Sequence, residues 1–149
     1  PLLTPRTVGL RHEVDRAKSK AERWARVVMA AAKQCGRAEL PPVREPMQFR
    51  DAVRACKDKG LALLAYEGMK GSVAAERLKL TLREADQKRG ADSLDVHLFI
   101  GPEGGFSDEE IELAEAEGVV VFGMGPRTLR AETAAAAAAT LVQYEFGAL

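Results

Sequence analysis

Apolar positions along the chain follow two rhythms. From Asp15 to Gly36 the residues Ala17, Ala21, Trp24, Val28, Ala31 and Cys35 recur at steps of 4, 3, 4, 3 and 4. That is one stripe of an amphipathic helix, with Lys and Arg on its other face. Gly36 suits the left-handed residue that ends such a helix. Pro41-Pro42-Val43 predicts a short extended segment, and Gln48 to Lys59 a second helix stopped by Gly60. The rhythm then changes. Leu61-Ala62-Leu63-Leu64-Ala65-Tyr66 is a continuous apolar run of strand length, the pattern of a strand buried on both faces of a parallel sheet. Ala74, Leu78, Thr81/Leu82 and Ala85 suggest a third helix, ending before Gly90, and Val96 to Ile100 forms a second buried strand. Ser107-Asp108-Glu109-Glu110 spells a capping box for a helix that runs to Glu117 and ends at Gly118. Val119 to Phe122 is a third strand, and an alanine-rich helix closes the pattern from Ala131 to Tyr144. Alternating strands and helices predict an α/β fold with a mainly parallel sheet and helices on both faces.

Composition narrows the class. With 149 residues, 46% hydrophobic and 30% charged, the chain suits one ordinary globular domain, 1–149. It has no apolar run near the roughly 20 residues that span a bilayer, and Pro1 to Leu10 lacks the pattern of a signal peptide, so no membrane partner is expected. Cys35 and Cys56 fall in helical patterns with no His or Cys nearby to complete a metal site. They are expected as buried thiols, which fits a reducing cytoplasm. His97 lies in a buried-strand pattern and is expected to be a hydrogen-bonded core residue; His12 falls where no element is predicted. The net charge of zero is unevenly spread. Residues 1–60 carry 14 Lys/Arg against 7 Asp/Glu, and residues 61–149 carry 8 against 15. A basic half suits an RNA backbone, although solvated helix faces explain the charge equally well.

Chemistry concentrates in three loops that follow the three strands: Tyr66 to Gly68, Gly101 to Ser107 and Gly123 to Arg127. Open α/β sheets bind ligands at these carboxyl ends. One glycine turn means little, since tight turns need glycine whatever their function; three on successive strands favour a ligand site. Their glycines match neither a dinucleotide fingerprint nor a P-loop, and no Lys follows Gly105. Loops that offer backbone N–H and C=O groups without a phosphate-binding lysine suit an adenosyl cofactor that carries no phosphate.

Ile100-Gly101-Pro102-Glu103-Gly104-Gly105-Phe106-Ser107, followed by Gly125-Pro126-Arg127-Thr128-Leu129-Arg130-Ala131-Glu132-Thr133-Ala134, closely resembles the signature of RsmE-type ribosomal RNA uridine N3-methyltransferases. Ala21 to Trp24 and Ala31 to Arg37, followed by Pro41, resemble that family's preceding helix, and Pro1 to Thr4 the strand before it. The resemblance implies a SPOUT fold with a C-terminal trefoil knot, a topology that periodicity would not have suggested. It implies S-adenosyl-L-methionine as cofactor, a homodimer, and a uridine of small-subunit (16S) ribosomal RNA as substrate. It also implies that an N-terminal RNA-binding barrel and a first strand–helix unit belong before Pro1. Met124 and Thr128 stand where the family usually has Leu and Ile, and Cys35 where it usually has Ser, changes that leave every ionisable group in place.

Uracil N3 carries a proton at neutral pH, so an enzyme must remove it or stabilise the anion beside the methyl donor. Aligning the two reactants can contribute several of the roughly 7–11 kcal/mol available to ideal orientation. No metal or covalent nucleophile is needed. Backbone groups of Ala65, Tyr66, Gly101, Gly104, Met124, Gly125 and Leu129 are the expected cofactor contacts. Arg37 and Arg130 are candidates for holding the target phosphate or the uridine anion, with Glu103 and Glu132 orienting them or acting as base. Arg130 stands out because a cation at a helix N-terminus is locally unfavourable, whereas Glu132 sits favourably there in any case. Two alternatives remain open: a SPOUT methyltransferase of transfer RNA ribose 2′-hydroxyls, and a non-catalytic nucleotide-binding or dimerisation module.

Overall fold

A computed structural model of the chain describes residues 1–4, 17–69, 71–89 and 93–147. The elements run β1 (Leu2–Leu3), α1 (Ala17–Cys35), β2 (Met47–Gln48), α2 (Phe49–Cys56), β3 (Leu61–Ala65), α3 (Ser72–Arg89), β4 (Val96–Ile100), α4 (Asp108–Ala116), β5 (Val120–Phe122) and α5 (Ala131–Glu145). Strands β4, β3 and β5 form a parallel sheet in that order, with β3 central; β1 and β2 make a separate parallel pair. The expected fold class is the one observed.

Alternation along each strand builds two cores. Leu64, Phe99 and Val121 point to one face and pack with Phe49, Ala52 and Val53 of α2 and Ala114 of α4. Leu63, Ala65 and Phe122 point to the other and pack with Leu78 and Leu82 of α3 and Ala138 and Val142 of α5. Helices therefore cover both faces, which is why β3 reads as an unbroken apolar run. Leu63 and Leu64 are fully buried, and burial of each stabilises the fold by roughly 1.5–3 kcal/mol.

Several boundaries differ from the sequence expectation. Val119 precedes β5, because its N–H donates to Ala114 O at 2.9 Å and so caps α4, with Gly118 in the left-handed region at φ +84. No strand was expected at Met47–Gln48, which pairs with Leu2–Leu3, the Met47 N–H donating to Pro1 O at 3.1 Å; Pro41 to Val43 lies outside any element. Proline, lacking an N–H, cannot contribute such a donor. On α1 the inward line is Ala21, Trp24, Val28 and Ala32, whereas Ala31 and Cys35 are exposed. Cys35 is therefore not a buried thiol, and Cys56 is half-buried; both are free. Consecutive alanines at 30–32 gain little from either orientation, so they do not fix which side turns inward. His97 is half-buried on the edge strand β4, with Nε2 3.3 Å from Lys59 O. His12 lies outside the described residues.

Candidate functional site

The loops after β3, β4 and β5 converge on a cleft of about 400 Å³. Each is held by the core beneath it. After β3, the Tyr66 N–H donates to Phe122 O at 2.9 Å, and the Tyr66 hydroxyl reaches Asp108 Oδ1 at 3.3 Å. The loop after β4 is pinned by Phe106, whose buried ring lies 5.0 Å from that of Phe49 and packs against Gly101. Anchoring one end in the core leaves the backbone between Gly101 and Gly105 to shape the cleft wall. Gly105 turns at φ +69, its N–H donating to Pro102 O at 2.9 Å, and the Glu67 carboxylate occupies the space where a Cβ would stand. Glycine is favoured there by conformation, and any Cβ would have to turn the exposed Glu67 side chain aside.

The third loop turns at Gly125, φ +108, and leads straight into α5. Arg130 is the N-cap residue and its side chain makes no capping bond. The first-turn amides of α5, which an α-helix leaves without internal partners, thus open at the cleft, where an anionic group is favoured.

The cleft gathers most residues singled out from the sequence. Ala65, Tyr66, Gly101, Met124, Gly125 and Leu129 line it, as do Glu103, Arg130 and Glu132. Arg37 and Gly104 do not. Arg37 follows the end of α1, its N–H donating to Ala32 O at 3.0 Å, and Gly104 is exposed at the turn beside the lining. Glu67, Gly105 and Arg127 line the cleft but were missed as site residues. For Gly105 and Arg127 the signal was present, since both lie inside the two C-terminal motifs. Three carboxylates (Glu67, Glu103, Glu132) and two guanidiniums (Arg127, Arg130) therefore share the site, and none forms an ion pair within the described residues. Those residues hold no group of three side chains able to bind a metal ion. Apolar Ala65, Ile100, Met124 and Leu129 beside exposed backbone suit a flat heteroaromatic group, and the volume falls within the roughly 300–1,000 Å³ of small-ligand sites.

Fold and cleft together define a parallel α/β ligand-binding domain whose site is made by loops at the carboxyl ends of its strands. A family model described as an RNA methyltransferase domain matches residues 1–143, and the chain belongs to that family. Among relatives, the ribosomal RNA small subunit methyltransferase E of Synechocystis is 37% identical over 135 residues, covering 90% of this chain and 40% of that protein. The Bacillus subtilis protein of the same name is 34% identical over 130 residues, 87% of this chain and 49% of its own length. The chain spans about half the length of the curated relatives it matches. Two solved structures superpose over 97% of this chain and 53% of theirs. A putative methyltransferase of Legionella pneumophila, in complex with the bound cofactor SAM, gives a TM-score of 0.75 at 32% identity. A ribosomal RNA small subunit methyltransferase E of Neisseria gonorrhoeae, bound to S-adenosyl methionine, gives 0.74 at 26%. The architecture is of the SPOUT type expected from the sequence.

Proposed function

We propose that this domain is the catalytic part of an S-adenosyl-L-methionine-dependent methyltransferase acting on N3 of a uridine in small-subunit (16S) ribosomal RNA. The reading includes a C-terminal segment threaded as a trefoil knot. The observation that carries it is the convergence of both signature motifs on one cleft that gathers Arg and Glu side chains and, among the described residues, no lysine. The names of the similar proteins support the same substrate class.

In this reading Ala65, Tyr66, Gly101, Met124, Gly125 and Leu129 hold the cofactor, which would supply an electrophilic methyl carbon when bound; Gly104, off the cleft, shapes the turn beside them. The chain's own side chains handle the uridine. Arg130 and Arg127 stabilise the negative charge that develops as the N3 proton leaves. Glu132 and Glu103 orient those guanidiniums or accept the proton. The amides at the start of α5 add positive potential at the same place. Exposed Leu129, Leu141 and Tyr144 on and beside α5 support a homodimeric form.

Calorimetry with S-adenosyl-L-methionine and methyl mapping on ribosomal RNA treated with the chain test the proposal. Binding, with the new methyl on uracil N3, is the expected result. A methyl on a ribose would instead select the 2′-hydroxyl reading, and no cofactor binding would select the non-catalytic module. Arg130→Ala and Glu132→Ala should each lower turnover about a hundredfold or more while cofactor affinity changes little. Full turnover in both would remove them from the mechanism.

A further inference from the structure

Outside the cleft, α1 carries a row of exposed cations along one face. Arg23, Arg26 and Lys33 fall at i, i+3 and i+10, which places them on one stripe of the helix, and Arg37 continues the row beyond its end. All four are exposed, and none forms an ion pair within the described residues. The stripe from Arg23 to Lys33 is roughly 15 Å long at 1.5 Å rise per residue, long enough to meet several phosphates. The face opposite carries half-buried Trp24 and Val28, so the cations are turned away from the body of the domain.

Helix stability does not explain this arrangement. Lys33 and Arg37 sit favourably near the negative end of the α1 dipole, and exposed Glu22, one turn before Arg26, offsets part of the Arg26 charge. Arg23 has neither reason, and like charges three residues apart repel by a few tenths of a kcal/mol, so a net positive row remains. The chain as a whole is neutral. Its positive charge is therefore concentrated rather than abundant, and concentration is what attracts a polyanion locally.

We propose that the α1 stripe of Arg23, Arg26, Lys33 and Arg37 docks the phosphate backbone of the RNA substrate, independently of base sequence. This rests on the reading of the domain as an RNA methyltransferase and gives Arg37, which lies off the cleft, a positioning role. The stripe sets how RNA is held, while the cleft sets what is modified.

The test uses the whole chain and a fluorescein-labelled mixed-sequence RNA oligonucleotide, with anisotropy recorded across a potassium chloride series. Each single-strand phosphate contact contributes about 0.7 to the slope of log affinity against log salt. R23Q/R26Q/K33Q should therefore lower that slope by about 2 and weaken binding at least tenfold at low salt. Its cofactor affinity by calorimetry and its thermal melt should match the wild type. The control K59Q/K79Q/K88Q removes the same charge from exposed positions off the stripe and should leave the slope within about 0.5 of the wild type. An unchanged slope in the stripe variant, or an equal drop in the control, overturns the proposal. So does stripe-dependent binding to phosphatidylserine vesicles without stripe-dependent binding to RNA. If the wild type fails to bind cofactor, the methyltransferase reading fails, and the anisotropy series still decides whether the stripe docks RNA.

Discussion

At Gly105 two loops of the cleft touch. Its φ of +69 disfavours a side chain, and a Cβ would also push aside the Glu67 carboxylate, the far end of an exposed side chain. A Cβ in the left-handed region costs about 1–2 kcal/mol in itself, and displacing Glu67 adds to it. Gly105→Ala should therefore weaken cofactor binding by about tenfold or more, roughly 1.4 kcal/mol. Adding Glu67→Ala should restore part of that loss, because it removes the obstacle but not the backbone strain. Calorimetry on both variants checks the pair, and wild-type affinity in Gly105→Ala would show that the loops do not meet in this way. The two positions also show what could be read in advance. Gly105 belongs to a motif with fixed spacing, so it was visible along the chain. Glu67 is a single acidic residue in a loop, and its importance depends on β3 and β4 lying side by side, a relation that no local pattern records.

Among the elements, α4 was the easiest to read because both its ends are written in short-range chemistry. The Ser107 hydroxyl accepts from the Glu110 N–H at 3.3 Å, and the Glu110 carboxylate accepts from the Ser107 N–H at 2.8 Å. Glu110 is buried, so this reciprocal pairing also satisfies one oxygen of a carboxylate shielded from water. Ser107→Ala should cost about 1 kcal/mol, within the range for lost N-caps. For a chain of this size that is a fall in Tm of about 2–4 °C, measurable by a thermal melt. No change would mean the cap contributes nothing. Helix α1 was harder to read. Its C-terminal end was legible, but its inward face was offset, because alanine gains too little from burial to mark a side. The strands fall between these cases: β4 matched residue for residue, and β5 lost Val119 to the cap of the preceding helix. The threading of a C-terminal knot has no periodic signature at all and entered only through the resemblance.

Across the whole molecule, each helical layer is latched by a cross-helix ion pair at its margin. On one face of the sheet Glu117, just after α4, accepts from Lys57 Nζ at 2.9 Å and from Arg54 Nε at 3.4 Å, tying α4 to α2. On the other, Arg83 Nε of α3 donates to Glu145 Oε1 of α5 at 2.9 Å. The first latch has a clear pH dependence. The hydrogen bond from Lys57, with the charge of Lys57 and the neighbouring Arg54, holds the Glu117 carboxyl below the usual carboxylate value of about 4.3. The same bond raises Lys57 above the usual lysine value of about 10.4. A lowered acid contributes stability that is present above its unfolded pKa and lost as pH falls through the folded one. A raised base contributes stability that is present below its unfolded pKa and lost as pH rises through the folded one. The latch is therefore intact from about pH 5 to pH 10; below it Glu117 is neutralised, and above it the Lys57 arm is lost while Arg54 stays charged. Glu117→Gln should lower the urea midpoint at pH 7, and the gap to the wild type should close as pH falls below 4. Because Lys57 and Arg54 are more than half exposed, molar salt should also narrow the gap at pH 7. A gap that persists unchanged at pH 3 would mean that Glu117 supports the α2–α4 contact through packing rather than charge.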